Sequence, residues 1–192
     1  MTVARRAPSG RRDEVLEASY QHALEIGTTD LALRPMAAAV GSSAGVLVYL
    51  FGSKDGLVQA LLERARRDEL ALLASLPESS DLAGTAQQLW RWLAAPQHRP
   101  LLRLWVRSYG HSLTDSTGPW AGFAQASVDD WLEVLAASQP PRRRGSRRGA
   151  VERSYVLALL RGALLDLLTT GDEPRCTAAV REGLATVGPT HR

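Results

Sequence analysis

Residues 33–57 read LRPMAAAVGSSAGVLVYLFGSKDGL, and two breaks punctuate them, Gly41-Ser42-Ser43 and Gly52-Ser53, the second followed by the charged pair Lys54-Asp55. Leu33, Met36 and Val40 recur at helical spacing before the first break. Ala37 and Gly41 stand four apart. A small residue at the first position lets two helices approach closely, and glycine at the second tolerates the positive φ of a tight turn. Ser42 and Ser43 are both suitable N-caps for a second helix. Alone, Val46–Phe51 has the β-propensity of a strand. The flanking Ala-x-x-x-Gly and Gly-Ser-Lys-Asp patterns make it a helix from about Ser43 to Phe51. The stretch 32–49 is therefore expected to be a helix-turn-helix whose second helix is short enough to lie in a major groove.

The same 3.6-residue periodicity runs through the whole chain, with almost no alternation, so the fold class expected is all-α. Helix 1 should run from about 12 to 26 and end at Gly27. A long helix, capped by Ser53, should cover 53–76 and stop at Pro77. Five more are expected at about 81–94, 98–114, 119–137, 150–170 and 173–187. Their stops are Pro96, Pro100, Gly118-Pro119, Pro140-Pro141 and Gly171. Residues 1–11, rich in Arg, Pro, Ser and Gly, read as a mobile basic arm. Residues 140–149, PPRRRGSRRG, read as a solvated flexible loop.

The 192 residues are 45% hydrophobic and 22% charged, the balance of a folded soluble chain rather than a disordered one. No apolar run approaches the ~20 residues of a spanning helix. Arg5 and Arg6 are followed by no apolar stretch, so no signal peptide is expected. Cys176 is the single cysteine, which excludes an intrachain disulfide and disfavours a cysteine zinc site. The expected location is the cytoplasm. His22, His98, His111 and His191 show no i, i+4 pairing with one another, so no metal and no cofactor are expected. The net charge is only +3, yet the basic residues, all Arg except Lys54, cluster at Arg5, Arg6, Arg11 and Arg12 and again at Arg142–Arg148.

On these residues the chain resembles the TetR family of bacterial transcription regulators. Val15–Gly27 is similar to the family's first helix. Leu33–Ser43 is similar to its second helix and turn. Tyr49-Leu50-Phe51-Gly52-Ser53-Lys54-Asp55-Gly56-Leu57 is similar to its Tyr-His-Phe-x-Ser-Lys-Glu-x-Leu signature. The resemblance spans about residues 12–62. It implies a DNA-binding domain at 12–52, followed by a helical ligand-binding and dimerisation domain at 53–192, of which 53–76 is the connecting helix. It implies that Tyr49 and Lys54 touch phosphates and that Ser43, Ala44, Gly45 and Val46 face base edges. Ser42, Arg34, Arg11 and Arg12 complete the expected DNA-binding set. The sequence departs from the pattern at Leu50, where the family has His. It departs again at Leu31-Ala32, so that Thr29 or Asp30 must cap the second helix.

The expected second domain, 53–192, holds all five tryptophans. Trp90, Trp105, Tyr109, Trp120, Phe123 and Trp131 are plain core or the lining of a pocket for a small apolar effector. The 150–170 and 173–187 helices carry more apolar surface than one face needs. The resemblance implies a two-fold homodimer there, with Val156, Leu160, Ala163, Leu164, Leu167, Val180, Leu184 and Val187 as its interface. The function expected is a ligand-responsive regulator, read as a repressor, binding a palindromic operator in double-stranded DNA. No enzymatic activity and no membrane partner are expected. Two alternatives stand beside it. One is a helical dimerisation or adaptor protein with a degenerate DNA head. The other is a small hydrolase using Ser43, because Gly41–Gly45 spells G-x-S-x-G; that motif needs a strand before it.

Overall fold

The computed structural model describes residues 8–27, 32–75 and 81–187. Every regular element in them is helical, with no strand among the described residues. In order these are α1 (Pro8–Ile26), α2 (Leu33–Ala39), α3 (Ala44–Phe51), α4 (Lys54–Ser75), α5 (Leu82–Ala94), α6 (Arg99–Thr114), α7 (Phe123–Ala137), α8 (Pro141–Arg144), α9 (Arg147–Thr170) and α10 (Glu173–Ala185). A 3₁₀ turn at Pro96–His98 precedes α6. The all-α expectation holds. No single helix among the described residues is long and apolar enough to cross a membrane.

The chain forms two compact units. One runs up to Asp68 and takes in Arg103–Ala124; the other holds Glu69–Leu102 and the chain from Gln125 onward. The cut falls inside α4, whereas the sequence reading drew its boundary ahead of that helix.

In the first unit α1 packs on α2 and α2 on α3. Val15, Leu16, Tyr20 and Ala23 of α1, Met36 and Ala37 of α2, Leu47 and Phe51 of α3, and Leu57 and Leu61 of α4 are among its buried residues. The axes of α2 and α3 bend by 101°, within the range of a helix-turn-helix. α1 begins at Pro8, earlier than expected. Proline suits a first helical turn because the N–H it lacks would have no partner there. Arg11 therefore sits on α1 and not in a mobile arm, and Arg12 lies within α1 as expected. Arg5, Arg6, Thr29, Asp30 and Pro77 lie outside the described residues. The N-cap position of α2 is Ala32, whose side chain makes no cap bond, so the expected capping by Thr29 or Asp30 is not what opens the helix.

In the second unit α5, α9 and α10 pack together. Leu89 and Leu93 of α5, Val156, Leu160, Leu164 and Leu167 of α9, and Cys176, Val180 and Leu184 of α10 are all buried within the chain itself. These include most of the residues expected at a dimer interface. Six of its eight residues are the chain's own core. The other two, Ala163 and Val187, are half-buried. The face of α9 that remains exposed carries Val151, Tyr155, Ala158, Gly162 and Leu165, spaced four and three apart. Both faces of this helix are apolar, and composition alone did not say which one the chain covers.

Two loop assignments also change. Residues 119–122 form turns, and α7 starts only at Phe123. Asp115 holds this region by accepting the backbone N–H groups of Thr117 (3.2 Å) and Gly118 (2.7 Å), the local bonding that makes aspartate a turn residue. The expected flexible loop at 140–149 is ordered by its own arginines. Arg144 donates to the carbonyls of Ala136 (2.9 Å) and Ala137 (2.8 Å), which end α7. Arg143 (2.6 Å) and Arg148 (3.2 Å) both reach Glu152. Ser146 caps α9 by accepting the Gly149 N–H at 3.0 Å. A guanidinium offers five donors to orphan carbonyls and carboxylates, so an arginine-rich stretch can be held as firmly as an apolar one.

Candidate nucleic-acid interface

The turn between α2 and α3 is closed by backbone bonds. The Gly41 N–H reaches the Ala38 carbonyl (3.3 Å) and the Ser42 N–H the Ala37 carbonyl (2.8 Å). Gly41 holds φ +61°, a left-handed conformation open to glycine at no steric cost. Ser43 opens α3 with an extended backbone, and its hydroxyl accepts the Val46 N–H at 3.3 Å. Gly52 ends the helix, its N–H on the Val48 carbonyl at 2.7 Å. Ser53 then caps α4, accepting the Gly56 N–H at 3.0 Å. The spacing of glycines and serines gave this architecture correctly.

α3 buries only Leu47 and Phe51. Gly45, Val46, Val48 and Tyr49 are exposed, Tyr49 to 81%. Arg34 on α2 and Lys54 at the first turn of α4 are exposed as well. Lys54 thus stands where backbone N–H groups also favour an anion. Ala44 is half-buried, and the Ser42 hydroxyl is buried with no hydrogen-bond partner. Arg12 lies over the Phe51 ring at 5.0 Å, a cation–π contact that holds it beside α3. Arg11 pairs loosely with Glu14 at 3.8 Å. The sequence reading missed Val48. Its place on the outward face follows from the 100° step per residue, since Leu47 and Phe51 mark the inward one.

A polar cluster between α1 and α4 was also missed. Arg64 bonds Glu17 at 2.9 Å and Asp68, Tyr20 donates to Asp68 at 2.8 Å, and the Arg64 guanidinium lies 4.6 Å from the Tyr20 ring centre. Burial and the Asp68 carboxylate push the Tyr20 hydroxyl's pKa up, so it stays a donor. The bonds from Gln21 and Arg64 hold the Glu17 carboxyl below its usual range. The signal was present in i, i+3 and i, i+4 spacing: Glu17 with Tyr20, and Arg64 with Asp68.

Four of the six aromatic candidates come together. Phe123 packs with Val58 and Leu62 of α4, with Trp105, Tyr109 and Trp120 against them. Trp105 and Tyr109 are 5.0 Å apart, and Trp120 stacks on His111 at 4.5 Å. Trp90 and Trp131 belong to the second unit. Trp90 is buried and donates to Thr177 of α10 at 2.8 Å, so it acts as core. Trp131 and Ser127 both donate to the buried Glu69 carboxylate. Burial raises the pKa of that carboxyl.

No family model matches the chain. The HTH-type transcriptional regulator BetI of Stenotrophomonas maltophilia is 31% identical over 112 residues, 48% of this chain. The match spans 57% of that relative's length, a little over half. Among solved structures, one from Rhodococcus sp. assigned to the TetR family of transcriptional regulators has a TM-score of 0.73 at 19% identity. It covers 93% of this chain and 98% of that one. The multidrug binding protein EbrR complexed with proflavin has a TM-score of 0.66 at 22% identity, covering 90% and 99%. At such identities the likeness establishes a shared fold.

Proposed function

We propose that this chain, which has the fold of the TetR-family regulators, is a transcriptional regulator that binds DNA through α2 and α3 and responds to a small ligand. The observation that carries the reading is the α2–turn–α3 unit. Its inner side chains close a core, while Gly45, Val46, Val48 and Tyr49 face outward beside Arg34 and Lys54. A short helix presented this way fits a major groove, with flanking side chains on phosphates.

A palindromic site requires two heads. The uncovered stripe of α9, Val151, Tyr155, Ala158, Gly162 and Leu165, supports a two-fold dimer through that helix. Small Ala158 and Gly162 leave room for a second backbone to approach. Two-fold symmetry would set two half-sites about one DNA turn apart. The cluster of Trp105, Tyr109, Trp120 and Phe123, together with the likeness to proflavin-bound EbrR, supports an apolar, aromatic effector. α4 carries Val58 and Leu62 at this cluster and Arg64 and Asp68 at α1. A ligand that favours a displaced α4 would release DNA, giving a repressor. Only a ligand with unequal affinity for the two states can do so.

The hydrolase alternative loses its premise, since the residues before Ser43 are helix α2 and the Ser43 hydroxyl serves as a cap. The test is selection of bound fragments from random and genomic duplex DNA near physiological salt. A recovered palindrome supports the reading. No enrichment over background, with or without candidate ligands, overturns it and leaves the adaptor alternative.

A further inference from the structure

The outward face of α3 is unusual for what it lacks. AGVLVYLF holds no charged and no amide side chain. Nothing on it can make the paired hydrogen bonds by which Arg reads guanine or Asn and Gln read adenine. With Leu47 and Phe51 facing in, the 100° step places Gly45 and Tyr49 at the centre of the outward face. Val46 and Val48 stand on its two flanks.

None of the three residues Gly45, Val46 and Val48 is needed by the fold. Both valines are exposed, and β-branched residues are poor choices for an exposed helix position. Gly45 has no positive φ, and a Cβ built on it would meet only the Ser43 Oγ, at 3.9 Å. Alanine would fit there and would favour the helix more. Three departures from local preference within four residues, on a face the core does not use, point to a partner. In a major groove the apolar feature that distinguishes one base pair from another is the 5-methyl group of thymine.

We infer that α3 reads thymine methyl groups, with Val46 and Val48 each packed on one methyl and Gly45 as the point where the helix backbone comes closest to the bases. This rests on the DNA-binding reading above and deepens it: each half-site carries thymines at the two steps flanking the helix axis. Hydrogen bonding at that spot plays little part, and the Tyr49 hydroxyl reaches the sugar-phosphate strand.

The test starts from a duplex enriched from random-sequence DNA by this protein. The duplex is remade with deoxyuridine for thymine, one position at a time, which deletes a methyl and leaves pairing intact. Loss of affinity of about fourfold is expected at two positions per half-site, the worth of one buried carbon. Val46→Ala should abolish the effect at one of them and Val48→Ala at the other. Gly45→Ala should melt no lower than the parent, yet bind the selected duplex about tenfold more weakly, the size of one mismatched base pair. Equal affinity for the uracil duplexes overturns the inference and leaves the DNA-binding reading standing. A lower melting temperature for Gly45→Ala also overturns it, because the glycine would then serve the fold. If no duplex is enriched, the DNA-binding reading fails and the inference falls with it.

Discussion

Apolar side chains meet solvent on both α3 and α9, and the two helices come to that state by different routes. α3 has eight residues and buries two of them, so its outward face is wide. α9 has 24 residues and buries a continuous inner stripe through Val156, Leu160, Leu164 and Leu167, while Val151 (62% exposed) and Leu165 (49%) stay outside. On α3 the exposed side chains are few and lie beside polar caps, as befits a polar partner. On α9 they form a second seam spaced like a helix-packing surface, as befits another apolar helix. An exposed valine therefore has no fixed meaning; its neighbours along the face supply it.

The sharpest way to break this contrast is to cut the two seams of α9 separately. Leu160→Ala, on the inner seam, should cost about 3 kcal/mol of stability, seen as a lower urea midpoint. Leu165→Glu, on the outer seam, should leave helix content intact and turn a sedimenting dimer into a monomer. A Leu165→Glu chain that still sediments as a dimer would move the interface away from α9. In the head, Lys54→Ala should weaken DNA binding on every sequence and reduce the slope of log K against log salt by about 0.9. An unchanged slope would place the phosphate contact elsewhere. Ser43→Ala should cost about 1 kcal/mol of stability without any DNA present, because its hydroxyl caps α3. The smallest effect expected is at Glu69. Burial, opposed by the bonds from Trp131 and Ser127, raises its carboxyl pKa above the ordinary 4.5. A carboxyl raised in the folded state holds its proton more tightly there. Its contribution is thus complete below the ordinary value and is lost as pH rises through the raised one. Glu69→Gln should flatten that decline in urea midpoints followed across the range, and an unchanged profile would show that Glu69 is not its source.

The head was largely legible because its signals are backbone requirements. Gly41, Ser43, Gly52 and Ser53 each answer a local demand for a positive φ, a cap or a stop, and these do not depend on distant residues. The body was less so. Leu160 and Leu165 are the same residue type on one helix, and only the packing of α5 and α10 shows which is inside. The arginines of 140–149 looked solvated because their acceptors, the carbonyls ending α7 and the Glu152 carboxylate, are fixed by tertiary structure. The aromatic candidates were right in kind and mixed in grouping. Trp105 with Tyr109 followed from i, i+4 spacing, whereas the bond from Trp90 to Thr177 spans 87 positions and has no local trace.

The near-absence of lysine gives this chain an experimental handle. Lys54 is its one side-chain amine, and it lies exposed at the start of α4. Its one thiol, Cys176, is buried, and that burial together with nearby Asp166 raises the thiol pKa and keeps it unreactive. An amine-reactive acyl reagent would therefore report, as a single mass increment apart from any terminal amine, whether the flank of the head is shielded. Thiol labelling of the same sample would report whether the α5–α9–α10 core has opened. One mass spectrum then separates a head covered by its partner from a chain that has begun to unfold.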